Sequence, residues 1–226
     1  MEKVPASSKG LLATVVRGQS LGRGWLEATR TILAEGHKAS YAGSPILEVG
    51  LMDLVIEDVS ESDGLIERLG DPERISWMHK NFTDCSSVDE LGGAASYATR
   101  LYDYDASGRD QIAWVTKTLR ADSASRSAVI TTLQPLSDTS YIPCVSLLQF
   151  WMPNGRLELI VTAHSIDFAT KGYANLIELA AIQRHVASSL GTSTGWLALR
   201  VSSAHIYERD LETVRTLLVS SGGPRQ

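Results

Sequence analysis

Cys144 is the side chain with the most obvious reactivity. It follows Tyr141-Ile142-Pro143 and precedes the apolar run Val145-Ser146-Leu147-Leu148-Gln149-Phe150, which places the sulfur at a strand edge where it can face a pocket. Once ionised, a thiol is a strong nucleophile, and nearby cations or dipoles lower the pKa at which it ionises. Polar groups able to hold a substrate follow in order: His164-Ser165-Ile166-Asp167, Asn175, and Ser203-Ala204-His205-Ile206-Tyr207. Each also has an ordinary reading. A cysteine amid Ile, Val and Leu is commonly a small core residue. His205 and Tyr207 alternate and fit one half-buried strand face, Asn175 fits a helix N-terminal position, and Asp167 fits a turn or cap. A general thiol enzyme pairing Cys144 with His164 or His205 is a further alternative.

These groups need elements to carry them. Gly24 to Glu35 has apolar residues at helical spacing and a stop at Gly36, which predicts a helix. Ile46 to Ile56 reads as a buried strand ending in Glu57-Asp58, and Ser60 to Gly93 as short helices and loops. Arg109 to Arg120 is amphipathic and helical, and Ala128 to Leu133 is a strand. Val145 to Trp151, the Asn154-Gly155 turn and Leu157 to Thr162 form a hairpin. Tyr173 to Leu190 is a long apolar helix stopped by Gly191, and Trp196 to Ser202 is a further strand. Strands interspersed with helices, plus a hairpin, predict an α/β (α+β) fold with a mixed sheet and packed helices.

Bulk properties narrow the partners. At 226 residues the chain suits one domain rather than two, read as residues 1–226 with flexible ends at 1–9 and 220–226. A formal charge of −5 argues against a nucleic-acid polymer, because phosphate tracking wants a basic stripe. A single nucleotide needs only a few local cations. No run approaches the ~20 apolar residues of a membrane span, and no apolar signal segment follows Met1-Glu2-Lys3-Val4-Pro5. No membrane is therefore expected, and the expected location is cytoplasmic. Cys85 and Cys144 then read as independent thiols, Cys85 a structural one.

Taken jointly, the order and spacing of these pieces resemble the folate-dependent thymidylate synthase family. The matching segments are Pro143-Cys144, Gln149-Phe150, His164-Ser165-Ile166-Asp167, Asn175 and Ser203-Ala204-His205-Ile206-Tyr207. Upstream, Tyr97-Ala98-Thr99-Arg100-Leu101, Asp110-Gln111-Ile112 and Ser125-Arg126-Ser127 are similar to further family segments. The likeness covers roughly Glu90 to Val214. A weaker one over Leu21 to Asp58 is closest to the short archaeal-type and pyrimidine hydroxymethylase-like members.

The resemblance implies a sheet-to-sheet homodimer and a transferase that carries a one-carbon unit from 5,10-methylenetetrahydrofolate to C5 of a pyrimidine, without a metal. C5 is a poor nucleophile, and a thiolate added at C6 makes it enolate-like. Cys144 would be that nucleophile, with Tyr97 in the polar wall nearby. Asn175 would hydrogen-bond the base edge and favours uracil, since its carboxamide offers both a donor and an acceptor. His205 and Tyr207 would hold the sugar, Ser165 the 5′-substituent and Asp167 the pterin. Arg126 would reach the partner subunit's site.

The chain departs from the family where a 5′-phosphate is gripped. His164 stands in place of the central arginine, and Ser127 in place of one of an arginine pair. Two lost guanidinium groups remove several kcal/mol of phosphate affinity, at ~1.5–3 kcal/mol for each hydrogen bond to a charged group. Among Arg17, Arg23 and Arg30, Arg23 in its Gly-Arg-Gly setting is the expected N-terminal phosphate ligand, and Glu57 is the expected proton-relaying glutamate. The implied substrate is a pyrimidine nucleoside or a nucleotide other than plain dUMP, and specialised nucleoside metabolism, including antibiotic biosynthesis, suits it. The alternative is a catalytically silent nucleotide-binding member that acts as a partner subunit.

Overall fold

The computed structural model describes residues 13–139 and 141–221. β1 (Thr14–Gly18) leads into α1 (Leu21–Glu35), where Ser20 Oγ accepts from the Arg23 N–H and caps the helix. The helix begins three residues before the expected Gly24 and stops at Gly36 as expected. Gly18 and Gly24 are there for close approach: a Cβ on Gly18 would lie 2.3 Å from the Gly24 backbone. β2 (His37–Tyr41) and β3 (Ser44–Ile56) then form a hairpin.

The charged stretch that follows folds into α2 (Gly64–Leu69) and α3 (Pro72–Thr83). Asp63 and Asp71 cap them, and Pro72 occupies the first turn of α3. The small ribbon β4 (Ser87–Val88) and β5 (Ala94–Ala95) precedes α4 (Tyr97–Tyr102) and α5 (Gln111–Ala121). β6 (Val129–Thr131), β7 (Val145–Trp151) and β8 (Leu157–Asp167) come next, with Gly155 at φ 72° in the expected hairpin turn. α6 (Gly172–Leu190) ends at Gly191 in the left-handed region, as expected. β9 (Thr194–Tyr207), a short turn over Glu208–Asp210 and α7 (Leu211–Ser220) complete the described chain.

Two expected boundaries move. β8 and β9 run five residues past Thr162 and Ser202, to Asp167 and Tyr207. At the expected flexible end from Ser220, that residue closes α7, and Ser221 is buried and accepts from Arg30 Nη2 at 3.0 Å. Residues 1–9 and 222–226 lie outside the described residues.

Seven strands form one mixed sheet in the order β1-β3-β9-β8-β7-β6, with β2 on the other half of β3. The β1–β3 and β8–β9 pairs are parallel and the others antiparallel. Met52, Leu54, Leu159, Val161, Leu199 and Val201 are fully buried on the face covered by α1 and α6. Their alternates Asp53, Val55, Ile160, Thr162, Ala198 and Arg200 are half-buried or exposed, so the second face is open. Across the sheet at one level, the β7–β8 register slips between Val145 and Leu147, and Leu51 adopts φ 55°. A positive φ is strained for leucine. Beyond that row the buried face gives way to a cleft.

Candidate functional site

Cys144 stands at the foot of β7. Its carbonyl accepts from the His164 N–H at 3.0 Å, which aligns β7 with β8. From behind, the Val145 N–H donates to Tyr97 Oη at 3.0 Å, and the Thr132 hydroxyl donates to the Val145 carbonyl. Tyr97 begins α4, stacks on Phe82 with centroids 4.4 Å apart, and donates its N–H to Asn81 Oδ1 at 2.9 Å. Arg100, one turn on, is fully buried and forms a two-pronged pair with Asp138 at 2.8 Å while donating to the Thr132 carbonyl. The thiol is thus held from its backbone side by a packed, hydrogen-bonded layer.

In front of Cys144 lies a cleft of about 400 Å3. Ser165, Asp167, His205 and Tyr207 line one wall. Their positions follow from register: Ser165 sits opposite Ser203 and Asp167 opposite His205 on parallel β8 and β9, and His205 opposite Glu48 on β3. Alternate residues share a face, so His205 and Tyr207 project together, rings edge-to-face at 5.3 Å. Asp167 is fixed by the Ala169 N–H and the Thr170 hydroxyl, and Trp25 Nε1 donates to the Phe168 carbonyl at 2.8 Å, anchoring that turn to α1.

The rest of the lining comes from elsewhere in the chain and forms a second wall: Tyr41 from β2, Arg74 from α3, Lys171 at the start of α6, and Arg209 with Asp210 after β9. Arg209 stacks over Tyr207 at 4.3 Å, and the Lys171 ammonium lies 5.6 Å from the Trp77 ring. Tyr141 closes the site beside the sulfur.

Electrostatics follow from burial. Burial pushes the Cys144 thiol up, opposed by the Lys171 charge and by hydrogen bonds from Ser165 and Tyr141. Ser165 Oγ is 4.0 Å from Cys144 Sγ. Burial also raises the Tyr141 and Tyr97 phenols, keeping them neutral donors, and lowers His205, keeping it neutral at physiological pH. Asp210 is raised by burial and by the nearby Asp167 charge. Its Oδ2 is buried without a hydrogen-bond partner among the described residues, 3.6 Å from Arg209 Nε.

Of the expected site residues, the fold therefore gathers Cys144, Ser165, Asp167, His205 and Tyr207 around one cleft, with Tyr97 directly behind. Asn175 is buried at the end of the first turn of α6, its Nδ2 donating to the Lys171 carbonyl at 3.0 Å, and does not line the cleft. His164 points away, its Nε2 3.4 Å from the Ile142 carbonyl oxygen. Arg126 is exposed on the α5–β6 loop, its Nη1 3.5 Å from the Ala124 carbonyl oxygen.

Two expectations are corrected. Glu57 is exposed past the far end of β3, nine residues from Glu48, which is about 30 Å of strand from the His205 level. Arg23 is exposed in the first turn of α1, not in a loop, because its glycine neighbours serve close packing; it lies at that same far end. Arg17 on β1 and Arg30 on α1 do not line the cleft either.

The sequence reading missed Arg74, Arg209, Asp210, Tyr41 and Tyr141. Arg209 and Tyr141 lie within three residues of recognised positions, which is a usable signal. Arg74 and Tyr41 meet the cleft only through tertiary folding. Among the described residues no group of three or more His, Cys, Asp or Glu side chains is placed to hold a metal.

Comparison with known proteins finds one family. The family model described as thymidylate synthase matches residues 61–223. Curated relatives named "Putative thymidylate synthase" span nearly the whole chain. That of Methanosarcina barkeri is 27% identical over 210 residues, covering 92% of this chain and 95% of its own. That of Methanopyrus kandleri is 30% identical over 202 residues, covering 87% and 94%. That of Methanothermobacter marburgensis is 26% identical over 222 residues, covering 92% and 99%.

Proposed function

The chain belongs to the thymidylate synthase family, and from that premise we propose that it transfers a one-carbon unit to C5 of a pyrimidine nucleoside or nucleotide other than plain dUMP. The observation that carries the proposal is the meeting of Cys144 with Ser165, Asp167, His205 and Tyr207 around one cleft. Members of this family draw the one-carbon unit from methylenetetrahydrofolate. The residues present suit that co-substrate: Asp167 and the unpartnered Asp210 oxygen are acceptors for pterin N–H groups, and Arg74 and Arg209 face an anionic tail.

Each side chain then has a task. The Cys144 sulfur adds to C6, moving the C5–C6 π electrons toward C5 and O4. Tyr207 and neutral His205 hydrogen-bond the sugar hydroxyls, and Ser165 contacts the 5′-substituent. Asn175 reads the base edge after giving up its bond to the Lys171 carbonyl. The preference for something other than plain dUMP rests on His164, turned to the Ile142 carbonyl oxygen, and on Ser127, which stands where the family has a second arginine. The product is 5-methyl or 5-hydroxymethyl, according to whether hydride or water reaches the exocyclic carbon.

The half-buried open sheet face, with Ile160, Ala198 and Val55, suits a homodimer of back-to-back sheets. No helix among the described residues is long and apolar enough to cross a membrane. A second reading, a catalytically silent nucleotide-binding partner subunit, is favoured by Arg23 and Glu57 lying outside the cleft.

Release of a C5 tritium label from uridine, UMP, dUMP, cytidine, CMP and dCMP tests the choice. Folate-stimulated release that disappears in Cys144→Ala supports the transferase, and the product mass separates methyl from hydroxymethyl. No release from any of the six supports the silent subunit.

A further inference from the structure

A thiolate nucleophile needs positive charge nearby, yet burial pushes Cys144 toward its neutral form. His164, Arg100 and Arg209 are engaged elsewhere. His164 turns to the Ile142 carbonyl oxygen, and Arg100 is bound at both prongs by Asp138. Arg209 stacks on Tyr207 against Asp210.

Lys171 is different. It lines the same cleft as Cys144, with its ammonium against the Trp77 ring. No carboxylate among the described residues pairs with it. Its backbone is fixed at both ends: its N–H donates to the Asp167 carbonyl at 3.1 Å, and its carbonyl accepts from Asn175 N at 2.9 Å and Nδ2 at 3.0 Å.

We propose that Lys171 is the positioned charge that favours the thiolate of Cys144. It acts through the sulfur: the thiol proton passes to solvent, and the ammonium stabilises the sulfur anion left behind. The remaining titratable groups around the sulfur do not supply this charge. The Tyr97, Tyr141 and Tyr207 phenols are all raised and stay neutral, His205 is lowered and neutral, and the Asp167 carboxylate opposes ionisation. Arg74 lines the cleft from α3, close enough to Asp210 to help lower that carboxyl.

The proposal rests on Cys144 being the nucleophile, but its test needs no substrate, so the two readings fail separately. In a Cys85→Ser background, which removes the exposed second thiol, the iodoacetamide alkylation rate of Cys144 is followed against pH. Lys171→Met is expected to raise the midpoint by about one pH unit, slowing alkylation about tenfold below it. Lys171→Arg is expected to keep the midpoint. Should Lys171→Met lose its fold, Lys171→Gln makes the same comparison. Coinciding midpoints in the parent and in a folded Met or Gln variant would overturn the proposal.

Discussion

Ser165, Asp167, His205 and Tyr207 reach the cleft from two adjacent parallel strands, whereas Arg74, Lys171, Arg209 and Asp210 reach it from a helix, a helix start and a turn. In the first wall a hydrogen-bonded ladder sets every spacing, and an interval of two residues becomes one face. In the second wall each group is held by its own local contact, such as Trp77 under Lys171 or Tyr207 under Arg209. The strand wall holds residues that the resemblance singles out, and the helix ends and turn bring the cleft's lysine and arginines. Shape is thus fixed by the sheet, and charge by the elements around it.

The largest way to break that contrast is to remove support from behind the strand wall. Arg100→Ala strands Asp138 as an unpaired buried carboxylate and is expected to cost about 3–5 kcal/mol of stability, measured by urea unfolding. The same pair sets an acid limit. Burial pushes Asp138 up, but the Arg100 hydrogen bonds and charge outweigh it and hold the carboxyl below its usual 3.8. Its contribution is therefore present above about pH 4 and lost as pH falls through the depressed value. A stability-versus-pH series should show that acid limb in the parent and a flatter one in Arg100→Ala.

A smaller effect sharpens the contrast directly. Tyr207→Phe removes one hydrogen bond from the strand wall and is expected to lower kcat/KM about tenfold, with the fold intact. Arg209→Ala removes a cation from the second wall. It is expected to raise the KM for the folate co-substrate several-fold with little change in that for the pyrimidine, as befits one exposed charge contact. Equal effects on both substrates in both variants would show that the two walls do not divide the work. The smallest change is a gain: His164→Arg should tighten binding of a 5′-monophosphate over its nucleoside by a few-fold, measured by calorimetry.

Legibility divides along the same line. Gly36, Gly155 and Gly191 marked ends and turns, and the apolar runs of β3, β7, β8 and α6 marked the core, because both signals are local. β1 and β2 are five-residue strands at the sheet edge, and β2 is almost wholly exposed, so neither carries a hydrophobic pattern strong enough to read. In the site, Cys144 and the strand residues were legible because their spacing is their geometry. Glu57 and Arg23 were misplaced because a sequence does not say which end of a 13-residue strand faces the cleft. Glu48, opposite His205, occupies the end that does.

The most direct test of the central claim is covalent trapping by 5-fluorouridine and 5-fluoro-2′-deoxyuridine, each with and without a 5′-monophosphate, together with methylenetetrahydrofolate. Fluorine at C5 does not leave as the proton does, so an adduct joined through C6 persists. Intact-mass and peptide analysis should find one such compound plus the folate bound to Cys144, with no adduct in Cys144→Ala. A complete panel without any adduct, or one attached at Cys85, would contradict the account.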